Sequence, residues 1–264
     1  MNDLLAAALL GLIQGLTEFL PVSSTAHLAL AEKVFRLDPT RFGLSFDIAL
    51  HMGTLVAVLV YFRRVWLDLV RDVLHARFGL LVLLVIATIP AVPAALLFGD
   101  LIDGPLRDPR VIAFGLVAGS LVFIIAERLG RTNTRTTPNL RDVVVIGVAQ
   151  ALALLPGLSR SGMTISAALG RGIRRDEAAR LSFLIATPAI FGAGLKTALD
   201  LRRSVALLDQ PETVAVGFAV SLVSGLFAVA FLMRFLRGHS LTWFVPYRLA
   251  LAGAILVALA AGAL

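Results

Sequence analysis

The sequence predicts an all-α polytopic membrane protein, an inverted-topology repeat with about six transmembrane helices plus two re-entrant helix-loop-helix hairpins. Three observations carry this. Hydrophobic residues make up 58% of the 264 and charged residues only 16%, with a mean hydropathy of +0.90, well outside the range of soluble domains. Apolar runs of about 20 residues, the length a helix needs to cross a bilayer, recur along the chain. Two further apolar regions are broken at their centres by proline and hydroxyl clusters, at FLPVSSTAH and LLPGLSRSGMT. A β-barrel is excluded, because barrel strands alternate apolar and polar residues in short segments and these runs do not.

Taken in order, the start MNDLLAAALLGLIQGLTEFLPVSS lacks the basic n-region of a signal peptide, carries Asp3, and holds Gln14 and Glu18 where an h-region stays apolar. It reads as part of the mature fold. The region 3 to 33 is therefore the first hairpin, broken at Pro21, and 142 to 170 is the second, broken at Pro156 and Gly157. Irregular backbone at membrane depth is tolerated only where protein buries it or a wet cavity receives it, so neither hairpin is expected to cross. Full spans are expected at about 46 to 62, 79 to 99, 110 to 129, 181 to 200, 212 to 235 and 246 to 264.

Loop charge orients these spans. The segments 63 to 77, 128 to 141, 171 to 180 and 234 to 248 hold 15 Lys and Arg, whereas 32 to 43, 101 to 110 and 201 to 212 hold 7, which assigns the first set to the cytoplasm. The net charge of +7 follows the same pattern of short basic loops and does not call for nucleic acid. The chain has no cysteine, which excludes disulfides, thiolate catalysis and Cys-type metal sites. An internal repeat agrees with the topology: Gln14, Leu16 and Pro21 recur as Gln150, Leu152 and Pro156, and LSFDIA at 44 to 49 recurs as LSFLIA at 181 to 186, at offsets of 135 to 137. Three spans separate the copies, so the second is inverted and the hairpin tips are expected to converge. Residues 1 to 264 form one integral membrane domain with halves at about 1 to 130 and 131 to 264.

The polar residues cluster at the two breaks. Gln14 and Glu18 stand four apart on one helix face; Ser23, Ser24 and Thr25 can each cap the returning helix, and His27 follows on its first turn. In the second hairpin Ser159, Arg160, Ser161 and Thr164 hold the matching places. Returning helices that aim their N-termini inward attract anions. Arg160 adds a planar donor fork suited to phosphate, and Glu18 a hard oxygen for a divalent cation, Mg2+ or Ca2+. Such a set suffices for metal-assisted phosphoryl transfer. A structural Glu18–Arg160 salt bridge, a hydrogen-bonded core His27 and hydroxyls satisfied by their own backbone are the plain alternatives. Asp47 and His51 could line the same cavity. His75 and His239 read as surface residues, Trp243 and Tyr247 as an interfacial belt, and Asp100, Asp103, Asp108, Asp176 and Glu177 as solvated carboxylates.

QGLTEFLPVSSTAHL and PGLSRSGMTIS closely resemble the two signatures of the undecaprenyl-diphosphate phosphatases, the bacitracin-resistance membrane enzymes: E/Q-x-x-x-E running into PVSST-x-H, and PG-x-SRS-x-x-T. The resemblance extends over the whole chain, FDIALHMGTLVAVLVYFRR included. It implies hydrolysis of undecaprenyl diphosphate to undecaprenyl phosphate and inorganic phosphate with a divalent metal, in the bacterial cytoplasmic membrane, at a site opening to the outer face. It carries Gln14, Glu18, Ser23, Ser24 and His27 over from the first signature and Ser159, Arg160, Ser161 and Thr164 from the second. Gln14 takes the glutamine option, which leaves a metal site centred on Glu18. Ser24 is the expected nucleophile, with His27 as its base or proton donor, and direct attack by His27 or by water is the open alternative. Thr25 and His51 join the expected substrate contacts. A homodimer is possible. The competing class is a transporter or flippase of a polyprenyl phosphate lipid, since inverted repeats with broken helices also build secondary transporters.

Overall fold

A computed structural model of the chain describes residues 1 to 130, 132, 134 to 200 and 207 to 263. Among them are twelve α-helices: α1 (Asp3–Phe19), α2 (Ser24–Val34), α3 (Leu44–Tyr61), α4 (Arg63–Leu74), α5 (Gly79–Thr88), α6 (Ala91–Asp103), α7 (Pro109–Leu129), α8 (Leu140–Leu152), α9 (Arg160–Gly170), α10 (Arg175–Leu199), α11 (Pro211–Phe235) and α12 (Val245–Ala260). No strand forms among the described residues beyond an isolated bridge between Arg135 and Ile173. Six helical stretches are long and apolar enough to cross a membrane: Leu44–Tyr61, Gly79–Ile102, Pro109–Leu129, Arg175–Leu199, Pro211–Phe235 and Leu241–Ala260. These are the six expected spans. The second joins α5 to α6 through a break at Ile89 and Pro90, where proline withholds the N–H that would continue the ladder.

α1 with α2, and α8 with α9, form the two helix-break-helix hairpins. Their breaks share one backbone device at one register. Ser23 and Ser159, 136 residues apart, precede the returning helices with φ of 76° and 74°. A left-handed conformation on a residue with a Cβ costs on the order of 1 kcal/mol or more and persists only where the surroundings enforce it. Its recurrence is conformational support for the repeat read from the sequence. The halves also exchange partners: α11 packs on α1 and α3, α5 packs on α8 and α10, and α7 and α12 pack on each other. Each hairpin thus leans on a span from the opposite half. Gly15 allows the closest of these approaches, because a Cβ there would collide with the Ser224 hydroxyl and the Ser221 carbonyl of α11.

One side chain joins the two breaks. Arg248, on α12 and fully buried, donates from Nη1 to the Pro21 carbonyl at 3.0 Å and from Nη2 to the Gly157 carbonyl at 2.9 Å, with Leu116 and Leu158 at 3.1 and 3.3 Å. Its Nε donates to Ser120 Oγ at 3.0 Å, and its Cζ lies 4.6 Å from the Phe123 ring centroid. Breaking a helix leaves carbonyls without ladder partners, and a guanidinium with five donors can serve several at once. Gly157, with φ of 93°, completes the junction: a Cβ there would strike the Ile112 carbonyl of α7. At the basic end, Glu127 binds the Arg175 guanidinium at 3.0 and 2.6 Å and the Leu241 amide at 2.7 Å, while Asp142 holds Arg135 and Arg171 at 2.6 and 2.9 Å.

The charge count needs three corrections. Residues 63 to 74 form the amphipathic helix α4 rather than a loop, because Val65, Trp66, Leu69 and Val73 recur at helical spacing and pack on the main core. Arg248 is no loop residue, since the carbonyls of two breaks bind it. Arg107 turns inward to Asp47, at 2.7 Å. Neither of the last two reports loop charge, and the bias toward the first set of segments survives without them. Arg131, Arg202 and Arg203, also counted, lie outside the described residues.

Replacing Arg248 by Met keeps the bulk but strands the carbonyls of both breaks, each about 1 to 3 kcal/mol when buried without a donor. We expect Arg248→Met to lower the apparent Tm in detergent by about 6 °C or more; an unchanged Tm would show that the breaks hold themselves.

Candidate active site

A cavity of about 490 Å³ opens where the hairpins meet, lined by Glu18, Ser23, Ser24 and Thr25 from the first hairpin, Ser159 and Arg160 from the second, and Asp47 and His51 from α3. Glu18 is its hub. The carboxylate is buried, and its Oε1 is paired with Arg160 Nη2 across the two tips. Its Oε2 accepts from Ser24 Oγ at 2.7 Å and from Gln14 Nε2 at 3.0 Å, and His51 Nε2 stands 3.3 Å away. The sequence explains the convergence locally. Gln14 and Glu18 are one helical turn apart at the end of α1, Ser24 opens α2 just past the Pro21 break, and Arg160 opens α9 just past Gly157. A charged pair at this depth is stable only because each charge has the other and further hydrogen bonds.

The α2 N-terminus is open. Ser23 makes no side-chain cap on its own helix; its Oγ instead accepts from the Gly157 amide at 3.2 Å, one break bonded to the other. The first N–H groups of α2 therefore have no side-chain cap, an arrangement suited to an anion. On α9, Ser159 Oγ accepts from Gly162 N at 3.4 Å and meets Ser161 Oγ at 3.2 Å.

Three expected substrate contacts, Gln14, Ser161 and Thr164, are not among the residues that line the cavity. Thr164 does not line the cavity: its Oγ1 bonds the Arg160 carbonyl at 2.8 Å and Ser182 Oγ on α10 at 2.6 Å, which fastens α9 to α10. Ser161 is likewise turned to the Leu20 carbonyl, at 3.4 Å. His27 is not hydrogen-bonded to Ser24 and is not a cavity residue. Its Nδ1 faces the Ser23 carbonyl at 2.8 Å, which can only accept, so Nδ1 carries the hydrogen; in the neutral ring Nε2 then accepts from Tyr247 O–H at 2.6 Å. The position one turn into α2 points the ring to α12, away from the Glu18 face. The imidazole near the Glu18 carboxylate is that of His51 rather than His27, and Tyr247, expected in an interfacial belt, stacks on His27 with ring centroids 5.7 Å apart.

Two charged residues of the wall, Arg107 and Lys196, escaped the sequence reading or were misplaced by it. Arg107 joins Asp47 at 2.7 Å and approaches Glu32 at 3.8 Å. Lys196 projects from α10, and a lysine inside the apolar run at 181 to 200 was a signal that could have found it. His75, His239, Asp100 and Asp108 are exposed as expected, Asp176 pairs with Arg174 at 2.6 Å and Glu177 with Arg180 at 3.0 Å. The side chain of Asp103 lies outside the described residues.

Whether these residues suit a divalent cation is a question of donor chemistry. No group of three or more His, Cys, Asp or Glu converges among the described residues. Beside Glu18, however, the buried Gln14 Oε1 has no hydrogen-bond partner, and the Ser24 hydroxyl is adjacent. One carboxylate with neutral hard oxygens fits a cation such as Mg2+, which keeps waters and takes phosphate oxygens as its remaining ligands.

Comparison with known proteins agrees with the motifs. The family model described as Bacitracin resistance protein BacA matches residues 7 to 254. A protein of Rubrobacter xylanophilus named undecaprenyl-diphosphatase is 44% identical over 97% of this chain and 98% of its own length. Proteins with the same name from Thermodesulfovibrio yellowstonii, at 40% identity over 94% of each chain, and from Desulforudis audaxviator, at 44% over 94% of this chain and 95% of its own, resemble it as closely in extent. With one model spanning nearly the whole chain and full-length relatives at this identity, the chain belongs to the bacitracin resistance protein BacA family.

Proposed function

We propose that this chain is an undecaprenyl-diphosphatase: an integral membrane phosphatase that hydrolyses undecaprenyl diphosphate to undecaprenyl phosphate and inorganic phosphate, and so recycles a lipid carrier of cell-wall synthesis and confers bacitracin resistance. The observation that carries this reading is the Ser24–Glu18–Arg160 constellation where two broken helices meet. A nucleophilic hydroxyl, a carboxylate in hydrogen-bond reach of it and a cation fork within one cavity make up a phosphoryl-transfer set.

In this reading Arg160 and the open α2 N-terminus bind the diphosphate. The Ser24 O–H bond breaks toward Glu18 Oε2, 2.7 Å away, as Oγ bonds the terminal phosphorus and undecaprenyl phosphate leaves with the electron pair of the anhydride bond. Water then displaces Ser24 from phosphorus, the water's protons leaving with the inorganic phosphate, and the serine oxygen recovers the proton that Glu18 held. A divalent cation, Mg2+ or Ca2+, would be held by Glu18 and Gln14 Oε1 and would neutralise phosphate charge. Since both nitrogens of His27 are bonded elsewhere, its effect is exerted through the placement of α2 against α12. The positive bias of the α4 and Arg171 to Arg180 segments supports a cytoplasmic location for that end of the molecule. The cavity would then open to the outer face of the bacterial cytoplasmic membrane, with the hairpins re-entrant.

Phosphate release from a long-chain prenyl diphosphate by purified protein in detergent tests the reading, and chelator should remove most of it. No release from folded protein would favour carriage of a lipid phosphate over its formation. Ser24→Ala is expected to lower kcat by about 10² or more. His27→Asn should cost stability with a smaller loss of kcat; Ser24→Ala near normal beside a dead His27→Asn would overturn the serine assignment. Arg160→Ala should remove most activity, about 10²-fold or more. Arg160→Lys should rescue it poorly, since a point charge cannot replace a fork; normal turnover by the lysine variant would refute the clamp.

A further inference from the structure

Three cations line the cavity, and two already face carboxylates, Arg160 with Glu18 and Arg107 with Asp47. Lys196 makes no ion pair among the described residues. It stands in the last turn of α10, and its Nζ reaches toward α6, 3.9 Å from the position a Cβ on Gly99 would take. A lysine in a last helical turn suits the helix dipole, but the dipole does not explain an ammonium that reaches toward the facing helix beside the cavity. With the two pairs cancelling, Lys196 leaves the described wall with a net positive charge.

That charge bears on selectivity. A diphosphate carries more negative charge than either phosphate produced by its cleavage, and the exposed ammonium of Lys196 at the cavity wall attracts the more highly charged ligand more strongly. Resting on the phosphatase reading above, we propose that Lys196 is the binding residue that makes the cavity prefer a diphosphate monoester to the phosphomonoester and inorganic phosphate it yields. Arg160 engages phosphate at the hairpin tips, whereas Lys196 supplies the surplus charge that weakens product binding relative to substrate.

The test compares the full chain with Lys196→Gln and Lys196→Arg, using a long-chain prenyl diphosphate as substrate and the matching prenyl monophosphate as inhibitor. Lys196→Gln should raise KM by about tenfold, far more than it lowers kcat, and should flatten the fall of kcat/KM with salt. Its Ki for the monophosphate should rise less than KM, and Lys196→Arg should return KM to within about threefold of the wild type. A KM within about twofold of the wild type, an equal rise in Ki, or failure of the arginine variant to restore KM would overturn the proposal. Equilibrium binding of the same diphosphate to Ser24→Ala protein, with and without Lys196→Gln, reads the contact without turnover. A wild type that binds but never cleaves would sink the phosphatase reading, whereas cleavage with KM indifferent to Lys196 would sink only this one.

Discussion

The guanidinium of Arg248 occupies the point where two broken helices meet, and the site depends on that junction. A helix that stops inside an apolar layer leaves carbonyls that neither water nor a ladder can satisfy. Here Pro21 from one hairpin and Gly157 and Leu158 from the other present theirs to a single buried side chain. The cation is stabilised by several carbonyl dipoles and a ring face rather than by a carboxylate. Its burial fixes the distance between the tips, and with it whether Arg160 can reach Glu18.

Around that junction the polar groups separate into two kinds. Those on the α12 side are satisfied: His27 bonds Tyr247 and the Ser23 carbonyl, and Arg248 bonds backbone carbonyls and the Ser120 hydroxyl. Those on the cavity side, Glu18, Ser24, His51 and Arg160, form one network but retain open capacity: the uncapped start of α2, and the buried, unpartnered oxygens of Gln14 and Asp47. Buried polar atoms without partners are rare in folded proteins and cost free energy unless a ligand or water completes them. The two faces of α2 therefore serve different ends, though both are read from one short stretch, SSTAH.

The repeat accounts for this asymmetry of roles within a symmetric frame. Ser23 and Ser159 adopt the same left-handed backbone, and Gln14 and Gln150 both keep a buried Oε1 without a partner. Yet the first copy supplies the carboxylate and the second the guanidinium, at the equivalent tips. Opposite charges on converging hairpins attract across the pseudo-symmetric seam, which holds the copies in register. Like charges there would have repelled.

Spans, breaks and repeat were legible in the sequence because they depend on local composition: apolar length sets a span, proline and glycine set a break, and a shared register sets a repeat. The pairing of Glu18 with Arg160 was legible as an alternative, since both stand beside a break. What the sequence could not determine was direction. Whether His27 turns to Ser24 or to Tyr247, whether Thr164 meets the cavity or Ser182, and whether Arg248 belongs to a loop or to the centre all depend on which helix lies alongside. Helical spacing orders side chains around an axis, but the rotation of that axis is set by packing against other helices, whether 18 residues away, as Ser182 is from Thr164, or 220, as Tyr247 is from His27. The physical reason is that burial of a polar side chain is affordable only with its partners in place, and those partners are brought together by tertiary contacts alone.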